Sequence, residues 1–404
     1  MANTFTPNKL SDLIAVRAAE SGAYLTVGSR PYFKDQLNKV NGRNGQSVDL
    51  VITDAGEYFE GTDGTGHLSN LTERKVTKTL KLGNIMINTD IVEAVTDVDW
   101  DKEIVKPNMK KLINGVVKKQ ILEDIGHCNA AFIGKGWLPL SKASRFLSSV
   151  SSDSKYAFVD PMIDSVMAAG GKGFTPVEAD DLYKKGMLGS FSGTEFRETP
   201  FLPQLVVSSA LATELASATV TSYTDNNDGT ATIVLKGVTE EIPVGFPIML
   251  QDVYATDTVG DKTSALKAFI AIEKGTSGSV KVYSVDFAGN GTKQLCALDG
   301  SALSASGLAG KKVVAVPANS YYMGLFRIDG AMAFCTLDKL RWATPEKRSE
   351  NIEGIYVHEG ASGDVIKGEA VTRWAIASLA GIVEDRACAM VYVAEGTPNV
   401  VSTL

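Results

Sequence analysis

Two runs with a period of two, SVDLVIT (47–53) and RKVTKTLKLG (74–83), flank a connection far longer than hairpins normally carry. The first sets Val48, Leu50 and Ile52 against polar neighbours; the second sets Val76, Leu80 and Leu82 against Lys75, Thr77, Thr79 and Lys81. Alternation of this kind marks half-buried strands, and two such runs in succession read as a hairpin. A hairpin loop is normally about 2–5 residues. This one runs roughly from Asp54 to Glu73, and a chain that keeps so long a loop uses it for function or to touch a partner.

The loop holds EYFEGTDGTGHLSN (57–70), with Gly61, Gly64 and Gly66 among acidic, hydroxyl and amide side chains. A phosphate cradle would need G-x-x-x-x-G-K-[ST] opening into a helix, so that backbone N–H groups face the anion. Here there is no lysine, a strand follows, and Glu57, Glu60 and Asp63 would repel phosphate. The glycines therefore mark a pliable loop tip.

The best helical pattern runs from about Pro107 to Phe132. Met109, Leu112, Ile113, Val116, Val117, Ile121, Ile125, Cys128 and Phe132 recur by threes and fours, opposite Lys110, Lys111, Lys118 and Lys119. Leu10 to Glu20 reads as a short helix, and the stretch up to Gly45 as an arm. KYAFVDP reads as a buried strand and PMIDSVMAAG as a helix closed by Gly170 and Gly171. Composition then changes. No arginine occurs between Arg197 and Arg327, and 205–318 lacks Trp and His while showing TATIVLKG, FPIMLQDVY, KAFIAIEKG, SVKVYSVDF and KKVVAVPA. Short strands divided by turn clusters predict an all-β barrel or sandwich inserted in an α+β host.

The 404 residues suffice for two or three cores, and a formal charge of −7 argues against a dedicated nucleic-acid reader. The N-terminus lacks the pattern of a secretory signal, and no stretch approaches the ~18 apolar residues of a membrane span, so no membrane partner is expected. Cys128, Cys296, Cys335 and Cys388 lie far apart and are expected as buried free thiols.

No set of residues has the spacing of a catalytic, cofactor or metal site. DVDWD (97–101) begins like a calcium loop, but Lys102 stands where glycine is needed and Asn108 where a bidentate Glu is needed. GSFSG (189–193) has Phe191 where a nucleophile elbow carries serine. His127 and Cys128 are adjacent on the helical pattern, so their side chains diverge by about 100°. His127 is expected as a flank residue and Cys128 as core. The acidic pairs Asp180–Asp181 and Glu240–Glu241 read as solvated surface.

The order of elements — arm, hairpin with a long loop, long helix, α/β segment, closing strands — resembles the major capsid proteins of tailed bacteriophages, with the Hong Kong phage capsid fold. KYAFVDPMIDSVMAAG, GMLGSFSGTEFRETPFLP, YYMGLFRIDGAMAFCTLDKL and VTRWAIASLAGIVEDRACAMVYV are similar to successive segments of that family. The inserted stretch resembles the podovirus-like branch with an added β-barrel. The resemblance implies an α+β fold divided as 1–46 N-terminal arm, 47–96 extended-loop hairpin, 97–135 spine helix, 136–208 first part of an axial domain, 209–318 inserted barrel, 319–350 axial return and 351–404 closing strands. It further implies a non-enzymatic shell protein that self-assembles into hexamers and pentamers around double-stranded DNA, without sequence-specific binding. A scaffolding protein and a portal protein would be its partners. It would be found in the virion, and in the host cytoplasm during assembly. Contacts between subunits would match Glu57, Glu60 and Asp63 with Arg74, Lys75, Lys78 and Lys81. The alternatives are an encapsulin-type nanocompartment shell and a hydrolase with a β-rich accessory domain.

Overall fold

The computed structural model describes residues 23–30, 47–53, 73–90, 106–163, 190–191, 193–287, 293–337, 346–352, 355–364 and 369–395. It opens with α1 (Ala23–Thr26), β1 (Ser29–Arg30), β2 (Ser47–Thr53), β3 (Glu73–Thr79) and β4 (Lys81–Asp90). There follow α2 (Lys106–Gly126), β5 (Ala130–Gly134), α3 (Leu138–Val150), β6 (Lys155–Val159), β7 (Ser190–Phe191), β8 (Thr194–Glu198) and β9 (Leu205–Val207). The middle of the chain carries α4 (Ser209–Ser217), β10 (Thr219–Asp225), β11 (Thr230–Lys236), β12 (Pro247–Thr256), β13 (Lys262–Ile270), β14 (Ser279–Tyr283) and β15 (Leu295–Cys296). The last third adds β16 (Asn319–Ile328), β17 (Met332–Thr336), β18 (Glu346–Ile352), β19 (Ile355–Asp364), β20 (Glu369–Ile382) and β21 (Cys388–Ala394). The result is a mixed α/β structure dominated by sheet.

Two compact units share the chain. The first gathers residues 1–50, 75–120 and 332–381. Its sheet runs β1-β17-β20-β19-β18, with β4 paired along β20 from Lys81↔Ser378 to Asp90↔Glu369. The early part of α2 buries Met109, Leu112, Ile113 and Val117. Gly83 on β4 lets this helix close in: a Cβ there would lie 2.9 Å from Val116 Cγ2. The expected arm is partly docked. Tyr24 and Leu25 of α1 are buried, and Ser29 and Arg30 pair in parallel with Met332 and Ala333.

The second unit gathers residues 51–74, 121–331 and 382–404. Its main sheet is ordered β15-β12-β13-β5-β21-β16-β6-β8-β7, with β9 also on β16. Every residue of β21 is buried, as expected for a central strand, and its unbroken apolar run CAMVYVA reflects burial on both faces. Across β5 and β21 lies α3. Its Leu140, Ala143, Leu147 and Val150 fall at helical spacing and are buried, each large aliphatic contributing about 1.5–3 kcal/mol.

One expectation changes here. Helix α2 stops at Gly126 rather than Phe132, and Ala130–Gly134 form β5 in parallel with β21. The apolar spacing of Cys128 and Phe132 suits either state; pairing with β21 decides it. A side chain at Gly126 would collide with Tyr283 and Ile272, at 2.6 and 2.7 Å from its Cβ. In the stretch 209–318 two groups of strands are joined by the bridges Thr219↔Lys312 and Leu250↔Val313, and by the Ile272 N–H donating to the Lys281 carbonyl at 3.0 Å. The strands divide between a three-stranded sheet, β10-β11-β14, and β15-β12-β13, which continues into the main sheet where Lys267 of β13 opposes Ala130 of β5. A helix, α4, also opens it, capped by Ser208, whose hydroxyl accepts from Leu211 N–H at 3.1 Å.

Candidate functional site

Strands β2 and β3 form a two-stranded sheet. The Thr77 hydroxyl donates to Asp49 Oδ1 across it at 2.7 Å. Val48 and Leu80 are buried, and Leu80 lies between β3 and β4. Of the seven proposed contact residues, Glu57, Glu60 and Asp63 lie outside the described residues, as does the loop 54–72. Arg74 and Lys75 lie on β3, and Lys81 is exposed at the start of β4.

Lys78 differs from the others. It shares the inward parity of Val76 and Leu80 and is only 8% exposed. Its stem fills the space a side chain at Gly381 would take, the Nζ being 2.8 Å from that Cβ position. Lys78 therefore packs within its own subunit and is removed from the outward-facing set. Gly381 has φ +151°, a conformation that L residues rarely adopt. Gly381→Ala is expected to cost about 1–3 kcal/mol, read as a lower urea midpoint with an unchanged slope.

The residues with chemical potential are placed as structural groups. His127 follows α2 and stacks on Tyr283, with ring centroids 3.8 Å apart and planes at 13°. Its Nδ1 is 3.4 Å from Asp385 Oδ2, and Gln294 Nε2 donates to the same oxygen at 3.3 Å. Burial, reinforced by the negative charge of Glu123, Asp124 and Asp385, raises the Tyr283 phenol. The partners of His127 come from 156 to 258 positions away in sequence, so no local signal announces them. His358 is fully buried, with Nε2 2.8 Å from the Leu337 carbonyl.

All four cysteines are buried and free. Burial pushes every thiol up, Cys335 to about 12, the reverse of what a nucleophile needs. The folded protein is expected to resist a thiol reagent such as Ellman's, reacting fully only in denaturant.

Among the described residues no group of three His, Cys, Asp or Glu side chains could hold a metal ion. Of GSFSG, Ser190 and Phe191 form β7, antiparallel to β8 with Phe191 opposing Thr194, and Gly193 has φ +71°. Glu240 donates its N–H to Glu214, while Glu241 meets Lys274 at an exposed 2.7 Å. The DVDWD segment and Asp180–Asp181 lie outside the described residues. No described helix is long and apolar enough to cross a membrane.

No protein-family model matches the chain, and no curated protein matches it. Among solved structures it is similar to the capsid of Ralstonia phage GP4, at 7% identity and a TM-score of 0.45, covering 89% of this chain and 87% of that one. The mature capsid of bacteriophage PhiM1 shows 8% identity and a TM-score of 0.42, with 87% and 82% covered. A virus-like particle from Pyrococcus furiosus shows 9% identity and a TM-score of 0.38, with 95% and 98% covered.

Proposed function

We propose that the chain is a major capsid protein of a tailed bacteriophage, one that assembles as hexamers and pentamers into an icosahedral shell around double-stranded DNA. The observation that carries this reading is the β2–β3 ladder. Among the described residues it has no third strand. A two-stranded ribbon is marginal in water by itself, so its exposed length calls for another surface. A second copy of the chain supplies that surface, and closed symmetry repeats the contact at every equivalent position. The glycines of the 54–73 loop let one sequence meet slightly different angles around five- and sixfold positions. The net charge of −7 suits a wall that encloses DNA without gripping it. Scaffolding and portal proteins would act during assembly.

Electron microscopy of the purified protein tests this. Shells tens of nanometres across are expected; a protein that stays monomeric under all assembly conditions would exclude the reading. Nucleic acid inside shells from infected cells separates a capsid from a protein nanocompartment. Amide exchange over 54–73 is expected to be fast in free subunits and slowed at least tenfold in shells. Equal rates in both states would remove the loop from the contact.

A further inference from the structure

Helix α2 carries a cationic face in an acidic protein. Residues 106–120 hold five lysines and no acidic side chain, while the whole chain has a net charge of −7. The helix buries Met109, Leu112, Ile113 and Val117 and leaves Lys110, Lys111, Lys118 and Lys119 exposed. Among the described residues, none of these four lysine side chains has an ion-pair or hydrogen-bond partner. All of these positions belong to the first compact unit.

Gly115 stands mid-helix on the same face and is exposed. Lys111 lies four residues before it and Lys118 three after, one turn away on each side. That is about 4.5–6 Å along the axis, within the reach of a lysine side chain. A glycine inside a helix is less favourable than an alanine, because it leaves more backbone freedom to be lost on folding. Packing within the subunit does not require one here, since nothing lies within 4 Å of its Cβ position. The missing methyl instead opens the helix backbone to close approach from outside.

We propose that this face of α2 binds the phosphate backbone of double-stranded DNA, with a phosphate ridge crossing the helix at Gly115 between the lysine pairs. The core of a protein–protein interface is rich in aromatic residues and poor in lysine. From Lys110 to Lys119 no exposed side chain is aromatic or aliphatic. Lysine is a flexible point charge that holds phosphate without reading bases. Four such charges on one rigid face complement a regular polyanion. Naming that polyanion as duplex DNA rests on the shell reading, and turns this face of α2 toward the enclosed molecule. The contact is one that salt weakens readily, in keeping with a wall that holds its contents loosely.

Titration of free, full-length subunits into a fluorescent duplex, followed by anisotropy, is the test, and it needs no shell. Binding is expected at low salt, with log K falling against log salt at a slope of about −3 to −4, since each neutralised phosphate contributes about −0.9. Duplexes of different sequence should bind alike. Lys111→Gln combined with Lys118→Gln should make the slope shallower by about 2. Lys236→Gln combined with Lys312→Gln, both exposed on the 209–318 stretch, should leave it unchanged. Gly115→Ala should raise the urea midpoint, because alanine favours helix, yet weaken duplex binding about threefold or more. A purely structural glycine would not show that opposition. Subunits that fail to bind duplex at low salt overturn the proposal, as does binding that the α2 variants leave unchanged. Polyglutamate that displaces the duplex as well as unlabelled duplex does, at equal charge, assigns the face to an acidic polypeptide and overturns it equally. Shell formation is read separately by electron microscopy, so a failure here is distinct from a failure of the capsid reading.

Discussion

Lys78→Glu is expected to unfold its unit in part, whereas Lys75→Glu and Lys81→Glu leave the subunit folded and weaken assembly. The three lysines share one short segment and look interchangeable in sequence. Burial sets Lys78 apart from the exposed Lys81. Lys78 is 8% exposed, and its outer stem and Nζ both lie against Gly381. Glutamate is shorter and carries its charge closer to the backbone, placing an unpaired carboxylate among Val48, Leu80 and the Gly381 strand. A loss of about 3–5 kcal/mol is expected, the range for an uncompensated buried charge. Lys78→Met, which keeps the stem and removes the charge, should cost less than about 1 kcal/mol. At Lys81, exposed on β4, the penalty arises only when subunits meet, and the shell repeats it at each interface. Salt near 1 M, where screening acts within about 3 Å, should partly restore assembly of Lys75→Glu and Lys81→Glu but not of Lys78→Glu. Urea melts of monomer and sedimentation under assembly conditions read the two effects separately. Equal melting midpoints for all three variants would place Lys78 back among the surface residues.

What the sequence shows of this fold follows from how local each cause is. The alternation of β2 and β3 is a property of seven-residue windows; β2 fills its run, whereas the second run, 74–83, is divided at Leu80 between β3 and β4. The run KYAFV is apolar enough to be a buried strand in any context, and β6 occupies it. The helix end was hidden because Cys128 and Phe132 continue a helical stripe, and the strand that pairs with Phe132, β21, comes more than 250 residues later. One contact of the inserted stretch is hidden for a related reason. Its strands and turns are visible, but KAFIAIEKG has no mark saying that β13 borders β5. Lys267 inside that run is a buried cation, and its partner Asn129 lies in a short link with no pattern of its own. The candidate contacts grouped Lys78 with Lys75 and Lys81, although a period of two assigns positions 75 and 78 to opposite faces. The acidic half of the proposed contact belongs to the loop, whose partner is another molecule and so leaves no imprint on this chain.

Gly278→Ala is expected to be among the most damaging single-methyl changes in the second unit. The turn Thr276–Ser279 feeds β14, with Ser277 at φ +50° and Gly278 at φ +75°. Left-handed backbone alone costs an alanine about 1–2 kcal/mol. Crowding at the new methyl costs more. A Cβ at Gly278 would sit 2.3 Å from the Leu235 carbonyl oxygen and 3.0 Å from that of Val238. Both neighbours are backbone, and the Gly278 carbonyl itself accepts the Leu235 N–H at 2.8 Å, so neither side can move without opening the β11–β14 ladder. The combined loss should reach about 3–5 kcal/mol, the far tail for point changes. Gly300→Ala provides the control. Gly300 has a similar φ of +83°, yet nothing lies within 4 Å of its Cβ position. It should therefore show the cost of the backbone conformation alone, about 1–2 kcal/mol. The difference between the two urea midpoints measures the close approach by itself. With a few kcal/mol removed from a domain whose whole stability is about 5–15 kcal/mol, the Gly278 variant should also fail to assemble at temperatures where the Gly300 variant still does. Equal midpoints would show that β14 can shift away from β11 at little cost, and that the ladder carrying the inserted stretch is soft rather than rigid.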